Sequence, residues 1–266
     1  MSRVLVRLLP AVISIGALVP AAMAISDAPS QGSRLLPDLD QEAPSGLLVS
    51  RAPHSWELGF ASAVRNVGAG PLIIDGHRFS RMEETMAAQQ VIIRTAGPRE
   101  VVRGAGRLRY TRSPDHEHWH LLHFDRYELR RPGGDRALVR DRKTGFCLGD
   151  RYDVDDPALA AKPPEPAYRS RCGLERPGLW GVREGISVGY GDDYDANLEG
   201  QYLRLSGLRA GRYLLVHRAN ADRGLLEASY RNNASSLLLR LRWRGGVPRI
   251  RVLAVCPDRD RCRVRR

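Results

Sequence analysis

Three features are nearly absent from this sequence, and each absence excludes a class of protein. After the first residues no apolar run is long enough to cross a bilayer, so we expect no membrane span. The arginines are spread along the chain without the aromatic-basic repeat of single-strand binders, so nucleic acid is not an expected partner. Only "MEETMAAQQ" has fair helix propensity, which argues against a helical fold.

The first 24 residues have the pattern of an export signal. Arg3 and Arg7 precede an apolar run at 8–22, and "AMA" then supplies the small residues that a signal peptidase cleaves after. Removing two arginines from a formal charge of +12 leaves 12 − 2 = +10. We therefore expect a basic protein that is secreted or extracytoplasmic, in the cell envelope.

The rest of the chain predicts an all-β fold. Residues 25–45 are rich in Ser, Pro, Gln and Asp and are expected to form a mobile linker. From residue 46 to 266, short alternating segments such as "RYELRR" and "SSLLLRLRW" are bounded by Gly, Pro, Asn or Asp. We predict one β-sandwich-like domain with long loops, the longest at 150–180, and little helix.

The four cysteines are an even number in a chain that we expect to be exported, which favours two disulfides. Cys256 and Cys262 are close enough in sequence to close a small terminal loop. Cys147 would then pair with Cys172, although spacing alone does not establish the connectivity.

"HEHWHLLHF" contains four of the seven histidines and is the main candidate for a metal site. On a strand, His116, His118 and His120 project to one face, while the residues between them project to the other. Three imidazoles without a thiolate suit copper(II) or zinc(II). The outer pair would be about 13 Å apart at the backbone of a flat strand, so the rings must lean inward to share one ion. His123 is out of phase and is expected to pack or to support the ligands.

The scarcity of lysine makes the lysines themselves informative. Only Lys143 and Lys162 are lysine among 42 basic residues. Arginine is permanently charged, whereas a lysine amine can lose its proton and act as a nucleophile. Lys162 in the proline-rich loop needs no special role, but Lys143 stands next to a cysteine that we expect to be disulfide-bonded.

Five motifs follow one another along the chain: "HEHWH", "FDRYEL", "KTGFCL", "GISVGYGDDYDANLEGQYLRL" and "SYRNN". In this order they resemble the catalytic domain of the lysyl oxidase family, and the resemblance covers roughly residues 34–243. The resemblance implies that His116, His118 and His120 bind copper. It also implies that Lys143 and Tyr194 are joined into lysine tyrosylquinone, the built-in cofactor of the family; Tyr190 is the alternative tyrosine.

The resemblance further implies an oxidase that converts primary amines, either small amines or lysyl side chains of a protein, to aldehydes. Molecular oxygen would be consumed, with release of ammonia and hydrogen peroxide. Asp192, Asp193 and Asp195 are candidates for the base, although such a segment is more often a turn. The segment between His120 and Phe124 is one residue shorter than in the animal enzymes, so a shifted register or a bulge is expected there.

Two other functions compete with this interpretation. The chain could be a secreted β-sandwich module that binds copper or zinc without oxidase chemistry, since one scaffold can host either function. It could also be a zinc hydrolase with a metal-activated water, which would need no link between Lys143 and Tyr194. The presence of both residues in their motifs favours the oxidase.

Overall fold

A computed structural model describes residues 32–113, 116–140, 145–198 and 200–263. Within these ranges every regular element is a strand, so the predicted all-β class is confirmed. No helix in the part of the chain described is long and apolar enough to span a membrane. The strands are β1 (Arg34–Leu35), β2 (Leu39–Gln41), β3 (Ser45–Ala52), β4 (Ser55–Asn66), β5 (Leu72–His77), β6 (Thr85–Arg94), β7 (Glu100–Ser113), β8 (His116–Leu122), β9 (Asp125–Arg130), β10 (Ala137–Arg140), β11 (Gly145–Phe146), β12 (Tyr152–Asp153), β13 (Gly181–Ile186), β14 (Tyr190–Tyr194), β15 (Tyr202–Arg204), β16 (Gly211–Ala219), β17 (Ala234–Arg244) and β18 (Val247–Cys256).

The strands form three antiparallel sheets. The first has the order β11-β8-β7-β6-β5-β13, with β1 also paired to β6, and it carries the histidine strand β8. The second has the order β10-β9-β16-β17-β18. The third has the order β12-β14-β4-β15, with β2 and β3 also paired to β4. Apolar residues of all three sheets, such as Phe60, Leu108 and Leu239, lie in one buried cluster, and their burial is the main stabilising term.

The histidine strand β8 is held between β7 and β11. Its pairing with β7 is continuous from Leu121, opposite Leu108, to His116, opposite Ser113. The expected bulge or register shift is therefore not found within this pair.

Both predicted disulfides are confirmed. Cys147 is bonded to Cys172 and Cys256 to Cys262. The first bond joins the residue after β11 to the long loop at 150–180. That loop contains only the two-residue strand β12, and it is fixed further by Asp150, whose carboxylate accepts hydrogen bonds from the backbone N–H groups of Tyr168 and Ser187.

Part of the segment that we expected to be a mobile linker forms strands. Residues 34–35 and 39–41 form β1 and β2, which pair with β6 and β4. Leu39 is fully buried, and its N–H donates to the buried carboxylate of Glu227 at 2.7 Å. Apolar anchors within a polar segment therefore tie it to the sheets, and the ordered fold begins before residue 46. The export signal predicted at 1–24 lies outside the described residues.

Candidate functional site

Two of the three predicted histidine ligands lie close together on β8. His120 is buried and His118 half-buried, and their ring centroids are 4.6 Å apart. Between them, Trp119 points into the core and its ring contacts that of Tyr110. This alternation is the strand pattern that the sequence predicted. The side chain of His116 is outside the described part of the structure.

A threonine on the neighbouring strand orients His120. Thr111 Oγ1 lies 3.0 Å from Nδ1 of His120. When Nδ1 is protonated and donates this hydrogen bond, Nε2 is the nitrogen that can bind a metal, as in many metal sites where the second ring nitrogen is fixed by hydrogen bonding. Among the side chains that the structure describes, no group of three His, Cys, Asp or Glu residues is arranged to hold a metal ion.

The short strand β11 connects the histidines to Tyr194. Gly145 and Phe146 pair with Leu122 and Leu121 at the end of β8. The Phe146 ring then packs edge-on against the Tyr194 ring, with centroids 4.9 Å apart. A Cβ on Gly145 would come within 2.8 Å of the Cβ of His120, so glycine allows this close approach. Residues of the first sheet and Tyr194 of the third sheet therefore meet at the β11 edge of the first sheet.

The hydroxyl group of Tyr194 is held by the backbone of Cys147. It accepts a hydrogen bond from the N–H and donates one to the carbonyl, both at 3.0 Å. Burial of the hydroxyl end of this half-buried side chain raises the pKa of Tyr194 well above its ordinary value, and the nearby carboxyl groups of Asp192 and Glu184 act in the same direction. Tyr194 is therefore a neutral phenol in the folded protein.

Glu184 lies fully buried beneath this site. Its Oε2 accepts a hydrogen bond from the Leu148 N–H at 3.3 Å. Burial raises the pKa of Glu184 well above 4.5, and the nearby charge of Asp192 contributes in the same direction. A neutral carboxyl is therefore the favoured form in the interior.

This carboxyl predicts a measurable pH effect. Because the pKa of Glu184 is higher in the folded than in the unfolded protein, its contribution to stability is greatest below pH 4.5 and is lost as pH rises above that value. Relative to wild type, Glu184→Gln should become more stable with increasing pH, by up to about 1.4 kcal/mol per pH unit. Urea unfolding at pH 5 and pH 8 measures the difference; equal effects at both values would contradict the assignment.

The three candidate bases differ in position. Asp192 is 1% exposed, shares a strand face with Tyr194, and lies 3.6 Å from Nε of Arg151. Asp193 and Asp195 are exposed. Partial burial raises the pKa of Asp193, with a smaller contribution from Asp195.

The alternative tyrosine lies in a different environment. The Tyr190 hydroxyl donates to the carbonyls of Pro163 and Pro164 in the long loop, and the ammonium of Lys162 lies 5.5 Å from its ring centroid. A hydrogen bond to Asp153 raises the pKa of Lys162 and keeps it charged. This second lysine and tyrosine are therefore explained by ordinary packing and ion pairing.

Of Lys143 and His123, the structure describes only His123. Lys143 lies outside the described residues, as do its neighbours 141, 142 and 144. His123 is exposed in the turn between β8 and β9 with a φ of 60°, so the expected packing role is wrong. The fourth histidine occupies a left-handed turn position, which is uncommon for a residue other than glycine.

The sequence did not reveal the residues that support this site. Thr111 precedes the histidine motif by five residues, whereas Phe146 and Glu184 lie further along the chain, and none of the three is itself a residue type that marks a metal ligand in this motif. The register of β7 against β8 brings Thr111 to the histidines, and the pairing of β11 with β8 brings Phe146 to them. Thr111 could have been suggested by the hydrogen bond that a metal-binding histidine needs on its second nitrogen.

At the level of class, this is an all-β protein in which a histidine strand and a half-buried tyrosine meet at a sheet edge. The sequence model of the lysyl oxidase family matches residues 91–247, more than half of the 266-residue chain, and the chain belongs to this family. Family membership supports an amine oxidase activity at the level of the family.

Two curated relatives show the extent of the similarity. Lysyl oxidase homolog 1 from Homo sapiens is 25% identical over 122 residues, which cover 44% of this chain and 18% of the human protein. The Bos taurus protein of the same name is also 25% identical over 122 residues, covering 44% of this chain and 17% of its own length. The match spans less than a fifth of either relative.

Proposed function

We propose that this protein is an exported amine oxidase that depends on copper and on lysine tyrosylquinone. In this proposal His116, His118 and His120 bind copper, and the quinone forms from Lys143 and Tyr194. The enzyme would convert a primary amine, either a small amine or a lysyl side chain, to an aldehyde, reducing oxygen to hydrogen peroxide and releasing ammonia.

The contact of β11 with both β8 and Tyr194 carries this proposal. Phe146 pairs with the histidine strand and packs on the Tyr194 ring, and Cys147 holds the Tyr194 hydroxyl. Lys143 precedes Gly145 by two peptide bonds, which limits the separation of their Cα atoms to about 7 Å. Covalent connectivity thus supports a site to which histidine, lysine and tyrosine all contribute.

The donor set fits copper in its chemistry. His118 and His120 have rings 4.6 Å apart, and a hydrogen bond to Thr111 orients the second ring. Imidazole nitrogens are suitable ligands for copper, and the hydrogen-bonded threonine fixes the ring that would bind it. His116 is the third ligand that we propose.

The quinone would supply the electron sink that ordinary side chains lack in amine oxidation. The protein around Tyr194 has two tasks that follow from its contacts. The Cys147 backbone fixes the position of the ring oxygen, and the Phe146 ring fixes the plane of the tyrosine. Among the three aspartates, we propose Asp192 as the base that takes a proton from the substrate, because it is buried on the strand face of Tyr194.

The two disulfides support the proposed location outside the cytoplasm, since such bonds persist in oxidising compartments. A basic protein repels a lysine-rich cationic polymer at long range. A small amine, or a lysine flanked by acidic residues, is therefore the better substrate class for a chain whose formal net charge is +12, or 12 − 2 = +10 without its first 24 residues.

A covalent link between Lys143 and Tyr194 is the test of this function. Protein produced with copper and oxygen, and a sample produced with a copper chelator, are digested and compared by peptide mass spectrometry. We expect a joined peptide containing both residues only in the copper sample. If both residues are recovered in separate, unmodified peptides from copper-loaded protein, the chain is a metal-binding β module and the oxidase proposal is wrong.

Copper affinity should depend on Thr111. In Thr111→Val the hydrogen bond to Nδ1 of His120 is lost while side-chain size is kept, so copper binding should weaken by about 10- to 100-fold. Competition with a chelator measures this without reference to activity. Thr85→Val is the matched control on β6, because that hydroxyl accepts hydrogen bonds from Arg107 and none from a histidine among the described residues. Equal affinities in both variants would argue against the role of Thr111.

A further inference from the structure

The outer face of the β16–β18 sheet carries six arginines that make no described ion pair. They alternate with core residues such as Leu239 and Leu241, so they point away from the core. No acidic group among the described residues lies within 4 Å of any of them. We call this set the arginine face; it consists of Arg212, Arg240, Arg242, Arg244, Arg249 and Arg251.

The strand register places these like charges directly opposite one another. Arg240 on the middle strand pairs with Arg212 on one side and with Arg251 on the other. Two residues further along β17, Arg242 pairs with Arg249. Like charges directly opposite on neighbouring strands are destabilising, so this arrangement costs stability in the isolated protein.

Elsewhere on the same face, arginines are neutralised. Arg218 binds the Asp260 carboxylate at 2.7 Å, and Arg130 is paired with Glu128. Leu214 on the same face is buried in a small apolar cluster that includes Cys262. The lack of acidic partners is therefore a local property of the arginine face and not of the sheet.

Protection of a sheet edge does not explain the arginines. Charged side chains on an edge strand prevent unwanted pairing, and β18 is an edge strand. Arg240 and Arg242, however, lie on β17, which has a partner on each side. Edge protection would account for Arg249 and Arg251 alone.

The shape of this surface favours a chain over a flat partner. Five of the arginines, together with Ile250, line a groove of about 400 Å³. A flat bilayer does not enter a groove, whereas an extended polymer does. Guanidinium groups bind carboxylates through two parallel hydrogen bonds, so an anionic polymer is the complementary ligand.

We propose that the arginine face binds an extended, acidic segment of polypeptide. Arginines two residues apart, such as Arg240 and Arg242, are about 6.6–6.8 Å apart along a strand. Alternate side chains of an extended peptide have the same repeat, so acidic residues at every second position can each meet one guanidinium. This inference is independent of the proposed oxidase activity, because it concerns another surface.

Fluorescence polarisation with a labelled 12-residue peptide of alternating Glu and Thr tests the proposal at physiological ionic strength. The quadruple variant has Arg240, Arg242, Arg249 and Arg251 changed to Gln. The control removes the same charge from exposed arginines elsewhere, namely Arg99, Arg103, Arg136 and Arg231. We expect the quadruple variant to bind at least about tenfold more weakly than wild type, and the control to change less than about twofold.

Three further measurements make the result decisive. The thermal midpoint of the quadruple variant should equal or exceed that of wild type, because opposed charges have been removed. A peptide with Gln in place of Glu should not bind. Equal loss of binding in the control variant would show a general charge effect and overturn the proposal. So would tighter binding of dextran sulfate, or of vesicles of equal phosphatidylcholine and phosphatidylglycerol, than of the acidic peptide.

Discussion

Tyr194→Phe is expected to lose amine oxidation completely, with a fall in turnover of at least about 1,000-fold. A rate loss of that size corresponds to about 4 kcal/mol of transition-state stabilisation. The reason is chemical: a phenylalanine ring lacks the oxygen that begins quinone formation, so no cofactor is available to accept electrons. Hydrogen peroxide release from a primary amine measures the loss, and the peptide that joins residues 143 and 194 should be absent.

The same substitution has a modest structural cost. The Cys147 N–H and carbonyl each lose a hydrogen-bond partner, which should lower the free energy of unfolding by about 1–3 kcal/mol. The variant should therefore still fold, and copper binding should be retained. These two controls separate a chemical role of the hydroxyl group from simple unfolding.

Tyr190→Phe is the matched comparison. Its hydroxyl donates only to loop carbonyls of Pro163 and Pro164 among the described residues, so activity should remain within about threefold of wild type. If Tyr190→Phe lost activity and Tyr194→Phe kept it, the assignment of the cofactor tyrosine would be reversed. If neither variant affected the oxidation of amines, the quinone would have to be abandoned as the cofactor.

The sequence predicted the parts of the fold that depend on local pattern. Alternation of apolar and basic residues identified strands such as β17, and the spacing of the histidines placed His118 and His120 on one face of β8. The pairing of Cys147 with Cys172 was expected once Cys256 and Cys262 had been assigned to one short terminal loop, although spacing alone did not establish it. The strand and histidine inferences use residues that are neighbours in sequence.

The remaining features depend on contacts between distant residues. The linker was expected to be mobile because its composition is polar, yet Leu39 is buried and bonded to Glu227, 188 residues further along the chain. Thr111 reaches His120 only because β7 and β8 pair in a particular register. In the sequence Glu184 looks like an ordinary charged residue of a strand, yet it is fully buried. Composition and periodicity contain no information on such tertiary pairing.

Removal of the Cys147–Cys172 disulfide should have the largest structural effect and also disable the proposed site. This bond closes 25 residues, and in the loop-entropy treatment its loss costs about 3.5 kcal/mol. Cys147 also carries the backbone groups that hold the Tyr194 hydroxyl, and the Cys172 carbonyl accepts a hydrogen bond from the Trp119 N–H on the histidine strand. The bond thus joins the segments on both sides of the proposed site.

Comparison with the second disulfide separates stability from function. Cys256–Cys262 closes six residues, so the Cys256→Ser, Cys262→Ser variant should lose only about 2 kcal/mol. We expect it to keep the link between Lys143 and Tyr194, whereas the Cys147→Ser, Cys172→Ser variant should lose most of the joined peptide. Urea unfolding and peptide mass spectrometry, both at a temperature where each variant is folded, give the two quantities. Equal yields of joined peptide would mean that β11 is held at Tyr194 by its strand pairing and by Phe146 alone, without the covalent anchor.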